Sequence, residues 1–200
     1  MIDNKKLLLD VCNTAIRAGH EILSYYNEDI EINYKGDASP LTKADLAANK
    51  LIISSLKNID VKIPILSEES IIDWNIRKKW NKYWLVDPLD GTKEFIKKND
   101  EFTVNIALIE NNKPVLGVIF VPAKSTLYFA QQKYGSFKIN TKIELNNLNT
   151  AKKIVVTKQS SLVRIIGSRS HSNNRFINWV NEKFPNAKII QAGSSLKFCL

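Results

Sequence analysis

Two aspartates, Asp87 and Asp90, carry the strongest chemical signal in this sequence. They lie in the segment WLVDPLDGT at 84–92, directly after an apolar run at 83–86 that has strand character. The proline and glycine of the segment favour a tight turn, and Thr92 opens a short helical turn. Carboxylate oxygens suit Mg²⁺, and free backbone N–H groups at a helix start suit phosphate. The segment indicates a metal and phosphate site, although a structural turn with a capped helix would use the same residues.

Two further acidic clusters lie at the edges of predicted elements. Glu68 and Glu69 end the short apolar run that begins at residue 63. Asp45 lies near the start of a predicted helix that runs from Thr42 to about residue 56. Hydrolysis of a phosphomonoester by several metal ions needs bridging carboxylates on a stiff frame. Three such clusters therefore favour a multi-metal phosphatase.

In this order, the segments resemble the inositol monophosphatase superfamily, and within it the branch of bacterial 3'(2'),5'-bisphosphate nucleotidases. The matching segments are SPLTKAD at 39–45, LSEE at 66–69, WLVDPLDGT at 84–92, GSRSH at 167–171 and GSSLKFCL at 193–200. They run over almost the whole chain. The resemblance implies an α/β (α+β) protein with the layered αβαβα sugar-phosphatase fold, whose C-terminal part is incomplete here.

The resemblance assigns roles to individual residues. The implied metal ligands are Glu68, Asp87, the backbone carbonyl of Leu89, and Asp90. They would bind two or three Mg²⁺ ions, with Li⁺ as an inhibitor. The implied catalytic residues are Asp45, Thr92 and Glu68: Thr92 orients the attacking water, and Asp45 receives its proton. A first-turn acid for Asp45 and a helix cap for Thr92 are the structural alternatives, and both are compatible with catalysis.

The resemblance also implies a substrate pocket. Its expected residues are Glu68, Leu89, Asp90, Gly91, Thr92, Ser168, Arg169, His171, Gly193, Ser194 and Lys197. A side chain at Gly91 would obstruct the approach of phosphate to the backbone N–H groups. Arg169, in bidentate fashion, and Lys197 are expected to hold the phosphate that does not react. His171 is expected beside the base or ribose, and a structural role for it stays open.

The implied reaction is hydrolysis of adenosine 3',5'-bisphosphate to AMP and phosphate, by in-line attack of water, in sulfur assimilation and nucleotide recycling. The alternatives are an activity like that of inositol monophosphatase or fructose-1,6-bisphosphatase, and an inactive truncated relic. A haloacid-dehalogenase-like phosphatase is disfavoured because its two aspartates are two residues apart, whereas Asp87 and Asp90 are three apart. A cysteine phosphatase is excluded because neither Cys12 nor Cys199 lies in a phosphate loop with arginine.

The charge composition limits the kinds of partner that the protein is expected to bind. Lys and Arg number 29 against 20 Asp and Glu, a formal net charge of +9, which favours anionic partners. The basic residues are scattered pairs without an arginine-rich arm, so a polyanionic small molecule is expected as partner and nucleic acid is not. The resemblance implies that this small molecule is a phosphorylated nucleotide. No apolar run reaches the length of a membrane span, and the N-terminus at residues 1–6 lacks the apolar region and the small-residue cleavage site of a signal peptide, which predicts a cytoplasmic protein. The resemblance adds a homodimer and peripheral association with the inner membrane as expectations.

Hydrophobic periodicity sets out the elements that must position these residues. Helices are predicted over 4–26, 42–56, 74–80 and 173–184, and from 194. Strands are predicted at 30–34, 63–66, 83–86, 102–109, 115–121, 126–130, 135–139, 154–157, 164–166 and 187–191. Thr42 and Asp45 have the spacing of a capping box, and the strands from 102 to 139 have the turn signals of a meander.

We expect two domains, separated near the polar segment 145–153. Residues 1–150 would form an N-terminal α+β metal-binding domain, and residues 151–200 the start of a C-terminal α/β domain. The resemblance implies a further Trp-Asp-x-Ala segment with another metal ligand, which has no match here. The sequence is therefore expected to be C-terminally truncated, with one metal site incomplete.

Overall fold

A computed structural model describes residues 4–27, 32–34, 36, 40–156, 163–170 and 173–200. Its helices are α1 Asn4–Tyr26, α2 Lys43–Ile59, α3 Trp74–Arg77, α4 Thr92–Ile96 and α5 Asn174–Lys183, with 3-10 turns at Pro122–Lys124 and Ser195–Phe198. Its strands are β1 Ile32–Tyr34, β2 Pro40–Thr42, β3 Ile65–Ser67, β4 Lys82–Asp90, β5 Thr103–Glu110, β6 Lys113–Val121, β7 Thr126–Gln131, β8 Gly135–Asn140, β9 Lys152–Ile154, β10 Arg164–Ser168 and β11 Lys188–Ala192. The prediction of a mixed α/β protein is confirmed.

A seven-stranded mixed sheet dominates the fold. Its order is β3-β4-β5-β6-β7-β8-β9, with β3 parallel to β4 and every other pair antiparallel. The predicted hairpin between β5 and β6 is confirmed. Asn111 and Asn112 form its two-residue turn with φ of 51° and 60°, the left-handed conformation that matches the twist of the flanking strands.

One face of this sheet is covered by α1 and α2. Along β5, Val104, Ile106 and Leu108 are buried beneath the helices, while the alternate residue Asn105 is only half-buried. On α1, buried residues recur at helical spacing, as at Leu8. Full burial of each such side chain stabilises the fold by about 1.5–3 kcal/mol, so helix and sheet form one core.

The structure contains a second, smaller sheet of two strands. Its strands β10 and β11 are parallel, with α5 between them in sequence. The 3-10 turn that follows β11 contacts β5 and β6, and its Leu196 is buried with Val121 and Tyr128. This turn fastens the small sheet to the large one.

Several details differ from the predictions, among them the bounds of α3 and β9 and the additional strand β2, and three differences concern the site or the expected domain boundary. The strand predicted at 83–86 continues as β4 through Asp87 to Asp90, so the prediction of a turn directly after Val86 is wrong. The helix expected from 194 is a 3-10 turn, because Ser194 has a φ of 47° and its hydroxyl accepts a hydrogen bond from the N–H of Leu196. Strand β9 belongs to the large sheet, although it follows the boundary expected at residue 150. The division into two domains stays a prediction.

None of the helices in the described ranges has the length and apolarity to cross a membrane.

Candidate active site

The end of β4 delivers the two central carboxylates. Asp87 lies opposite Asn105 of β5, and the register shifts before Asp90 pairs with Thr103. Pro88 lies inside this irregular stretch and has no N–H to give the ladder, which fits a bulge at that point. Because a bulge re-aims side chains, both aspartates face the same cavity, of about 250 Å³.

This cavity collects most of the predicted site. Its lining residues are Pro40, Glu68, Asp87, Leu89, Asp90, Gly91, Thr92, Lys93, Glu94, Ser168, Ser194 and Lys197. We call Glu68, Asp87, Asp90 and Thr92 the carboxylate wall; Glu68 follows β3, the two aspartates lie in the last part of β4, and Thr92 begins α4. We call Ser168, Ser194 and Lys197 the serine–lysine wall; Ser168 ends β10, Ser194 follows β11, and Lys197 lies in the 3-10 turn after it. The two walls come from segments about 80 residues apart or more in sequence, and the fold brings them to one space.

The donor atoms on the carboxylate wall fit a hard cation. Glu68, Asp87 and Asp90 offer carboxylate oxygens, and Leu89 adds a backbone carbonyl at the same cavity. Mg²⁺ prefers such oxygen ligands and keeps several waters, so it needs few protein ligands. Within the described ranges, no group of three or more His, Cys, Asp or Glu side chains is arranged to hold a metal ion as it stands. What favours a cation here is the chemistry of the oxygen donors that line the cavity.

Asp45 lies directly behind the carboxylate wall. Its Oδ2 accepts hydrogen bonds from the backbone N–H and the hydroxyl of Thr42, at 2.8 and 2.6 Å, which confirms the predicted capping pair at the start of α2. Its Oδ1 lies 3.2 Å from the hydroxyl of Thr92, which also lies 3.3 Å from the carbonyl of Leu89. Asp45 is fully buried, and this burial raises its pKa against the lowering effect of the hydrogen bonds from Thr42 and Thr92. A buried carboxylate in contact with a cavity hydroxyl is suited to accept a proton.

Gly91 occupies a position that only glycine fits easily. Its φ is 89°, in the left-handed region, at the start of α4. A Cβ there would lie 3.2 Å from the carbonyl oxygen of Glu101 and 3.2 Å from Cβ of Ser194. The missing side chain thus lets the carboxylate wall approach the serine–lysine wall closely.

A residue outside the predicted set joins the two walls through hydrogen bonds. The backbone N–H of Ser195 donates to Oδ2 of Asp90. The hydroxyl of Ser195 donates to Oδ1 of Asn105 at 2.8 Å and lies 3.0 Å from the hydroxyl of Thr103. Asn105 in turn donates to Asp90 at 3.3 Å. The orientation of the Asp90 carboxylate is therefore fixed from two directions.

Two acids that were not predicted lie near the site: Glu94 lines the cavity, and Glu101 lies outside its lining residues. Glu94 is buried and accepts a hydrogen bond from the hydroxyl of Ser170. Glu101 forms a two-point ion pair with Arg169, which lowers the pKa of the Glu101 carboxyl. The signal for Glu94 was its place in the first turn after Gly91. Glu101 had no local signal, because its partner lies 68 residues away.

The remaining predicted residues lie as follows. Gly193 and Arg169 are next to the serine–lysine wall in sequence but are not among the cavity residues. The ammonium of Lys197 donates to the carbonyl of Ser194 and lies 5.1 Å from the ring centre of Phe198. His171 lies outside the described residues.

Replacement of Gly193 by alanine is expected to lower stability by about 1–3 kcal/mol, as overpacking does. A Cβ on Gly193 would lie only 2.5 Å from Cγ of Glu94 and 3.1 Å from the carbonyl oxygen of Glu101. Urea unfolding followed by circular dichroism would measure the change. Gly117→Ala is the matched control, because a Cβ at Gly117 would meet nothing within 4 Å. Equal midpoints for Gly193→Ala and wild type would contradict the close approach.

The chain is similar in sequence to a known protein family and to individual members of it. A model of the inositol monophosphatase family matches residues 3–200. The chain is 44% identical over 205 residues to the 3'(2'),5'-bisphosphate nucleotidase CysQ of Buchnera aphidicola, covering 98% of this chain and 71% of the relative. It is 41% identical to the enzyme of the same name from Salmonella typhimurium, covering 97% of this chain and 76% of that one.

A solved structure gives the same result. The crystal structure of CysQ from Bacteroides thetaiotaomicron, a bacterial member of the inositol monophosphatase family, superposes with a TM-score of 0.85 at 36% identity. The match covers 100% of this chain and 77% of the other.

Proposed function

The chain belongs to the inositol monophosphatase family, and we propose that it is a metal-dependent 3'(2'),5'-bisphosphate nucleotidase that hydrolyses adenosine 3',5'-bisphosphate to AMP and phosphate. One observation carries the proposal. Carboxylates from two neighbouring strands, Glu68 after β3 and Asp87 and Asp90 of β4, line one cavity with Thr92, and Asp45 contacts Thr92 from behind. The nucleotidases most similar in sequence support the choice of substrate within the family.

We propose that the carboxylate wall holds Mg²⁺ through Glu68, Asp87, Asp90 and the carbonyl of Leu89. When bound, the cation supplies positive charge that neutralises the phosphoryl oxygens and activates water for attack. A single carboxylate oriented by Ser195 and Asn105, as Asp90 is, presents its remaining oxygen in a fixed direction. Such preorganisation reduces the cost of arranging ligands during the reaction.

The proton of the attacking water is assigned to Thr92 and Asp45. The Thr92 hydroxyl can donate to Asp45 and still accept from a water in the cavity. Asp45 is buried, so a proton passed to it is shielded from bulk solvent. The pair therefore supplies general-base catalysis through one hydroxyl.

The serine–lysine wall is assigned to the rest of the substrate. Ser168, Ser194 and Lys197 line the same cavity as the carboxylates. A bisphosphate needs donors for the phosphate that stays on the nucleoside, and the Lys197 ammonium, which gives one of its three N–H groups to the carbonyl of Ser194, has two more to offer. The number of Mg²⁺ ions, inhibition by Li⁺, a homodimer, peripheral membrane association and the place in sulfur assimilation stay predictions.

Phosphate release from a panel of esters tests the proposal. With Mg²⁺ present, kcat/KM for adenosine 3',5'-bisphosphate is expected to exceed that for inositol 1-phosphate and fructose 1,6-bisphosphate by about 100-fold, as a site that binds a specific polar group allows. Chelation should abolish turnover, and added Mg²⁺ should restore it. Faster turnover of inositol 1-phosphate would move the assignment to that substrate. Turnover of none of the esters, or turnover unchanged by chelation, would overturn it.

A further inference from the structure

The guanidinium of Arg169 donates hydrogen bonds to protein atoms through Nε and Nη2, the side that faces Glu101. Its Nε and Nη2 donate to the two carboxylate oxygens of Glu101, both at 2.8 Å, and Nη2 also donates to the carbonyl of Gln191 at 2.8 Å. Its backbone N–H donates to the carbonyl of Ala192 at 3.1 Å. The planar fork of a guanidinium matches a carboxylate in this two-point manner, and such pairs are among the strongest polar contacts in proteins.

The ion pair joins the two sheets. Glu101 lies shortly before β5 of the large sheet, and Arg169 lies directly after β10 of the small sheet. The same carboxylate also accepts the backbone N–H of Gly193, directly after β11, at 2.7 Å. One acid thus binds the ends of both strands of the small sheet, with only 14% of its side chain exposed.

Three residues close to Glu101 are each the sequence neighbour of a residue in one of the two walls. Arg169 and Gly193 are the sequence neighbours of Ser168 and Ser194, which belong to the serine–lysine wall. The carbonyl of Glu101 lies 3.2 Å from the Cβ position of Gly91, which borders the carboxylate wall. A shift of this ion pair would therefore change the separation of the two walls.

Release of Arg169 toward a ligand would leave Glu101 in an unfavourable state. Its mostly buried carboxylate would lose both charge-assisted hydrogen bonds and keep, among the described residues, the N–H of Gly193 and the attraction of the Lys124 charge. A charge left without its partner in such surroundings carries a large desolvation penalty. Turning Arg169 away from Glu101 therefore carries a free-energy cost that any contact with a phosphate would have to offset.

We infer that Glu101 and Arg169 are positioning residues that set the separation of the two walls, and that Arg169 acts on the substrate through Glu101 rather than as a phosphate ligand. The inference rests on the proposed nucleotidase function for its kinetic test. It assigns the phosphate that stays on the nucleoside to the serine–lysine wall alone. Two other contacts join the small-sheet segment to the rest of the protein, Ser170 with Glu94 of α4 and Ser195 with Asp90 of β4, so the fold is expected to stay assembled when this pair is removed.

A double-mutant cycle on two substrates tests the inference. The variants are Glu101→Gln, Arg169→Met and both together, and the substrates are adenosine 3',5'-bisphosphate and 3'-AMP, which lacks the second phosphate. Each single change is expected to lower kcat/KM for both substrates by a similar factor, about 10- to 100-fold, as a misplacement of a cavity wall does. The double variant should be no slower than the slower single variant, and Arg169→Lys should recover part of the loss.

Two controls accompany the cycle. Glu110→Gln and Lys82→Met remove a pair of the same kind that is exposed, with the two charges 3.6 Å apart, at the far end of β4 and β5. These variants are expected to keep wild-type kcat/KM. If Arg169→Met slows the bisphosphate at least about tenfold more than 3'-AMP while Glu101→Gln does not, Arg169 contacts the phosphate and the inference is wrong. Additive losses in the double variant would also overturn it.

Hydrogen exchange provides a measurement that does not depend on activity. Either single change should speed exchange of the backbone N–H groups of Arg169 and Gly193 by about tenfold or more, because each loses a restraint. Unchanged exchange at both amides would overturn the inference. If wild type hydrolyses none of the esters, the proposed function fails, whereas the exchange data still decide whether the pair holds the two sheets together.

Discussion

Asp87→Asn is expected to lower kcat by about a thousandfold or more, equivalent to about 4 kcal/mol of lost transition-state stabilisation. The amide keeps the size of the carboxylate but removes the negative charge that a cation at the carboxylate wall requires. Asp87 lies at the bulge of β4, where its backbone pairs with Asn105, so the strand itself is not altered. Phosphate release in the presence of Mg²⁺ measures the loss.

Thermal unfolding separates this effect from a folding defect. The Asp87→Asn protein should unfold at or above the wild-type temperature, because fewer like charges then face the cavity. Asp73→Asn is the matched control: Asp73 caps α3 by accepting the N–H of Asn75, and asparagine caps equally well. That control should keep wild-type activity. An active Asp87→Asn enzyme would remove the proposed mechanism.

Thr92→Val is expected to lower kcat by about 10²- to 10⁴-fold, the usual contribution of positioned acid–base groups. Valine has the shape of threonine but offers no hydroxyl to Asp45 or to water. Thr92→Ser keeps the hydroxyl and should stay within about tenfold of wild type. The two variants, assayed in parallel for phosphate release, isolate the hydroxyl from the packing of the side chain. Equal rates for Thr92→Val and Thr92→Ser would exclude a role for it.

The pH profile of kcat/KM carries a second signature of the same pair. Burial raises the pKa of Asp45, and only the ionised carboxylate can accept a proton. Activity should therefore fall as the pH falls through this raised pKa, so that the acid limb lies above the ordinary range for aspartate. In the Thr92→Val enzyme the residual rate should lose this limb, because Asp45 is then disconnected from the water. An acid limb that persists unchanged would contradict the assignment.

Local signals in the sequence predicted the parts of the fold that depend on near neighbours. The capping pair of Thr42 and Asp45 spans three residues, and the hairpin after Glu110 spans two. The periodicity of α1 gave its bounds correctly, 4–26, because one face of that helix is buried along its whole length. These features need no knowledge of the tertiary structure.

The parts that were missed depend on distant partners. The proline after Asp87 suggests that the strand ends there in a turn. Instead β4 continues, because the backbone of β5 pairs with it as far as Thr103. The place of Ser195 beside Asp90 and Asn105 has no counterpart in local pattern, since 105 and 90 residues separate the partners. For the roles of the site residues themselves, the family resemblance supplied the assignment, and the variants above test it.

The bridge from Ser195 to Asp90 has a consequence for biosynthesis. During translation, Asp90 is synthesised 105 residues before Ser195, whose backbone N–H orients the Asp90 carboxylate. Contacts of such high sequence separation form late, because a long loop must close before they can stabilise anything. The helices and the meander can therefore fold before Ser195 is synthesised, whereas the carboxylate of Asp90 gains its fixed orientation only afterwards.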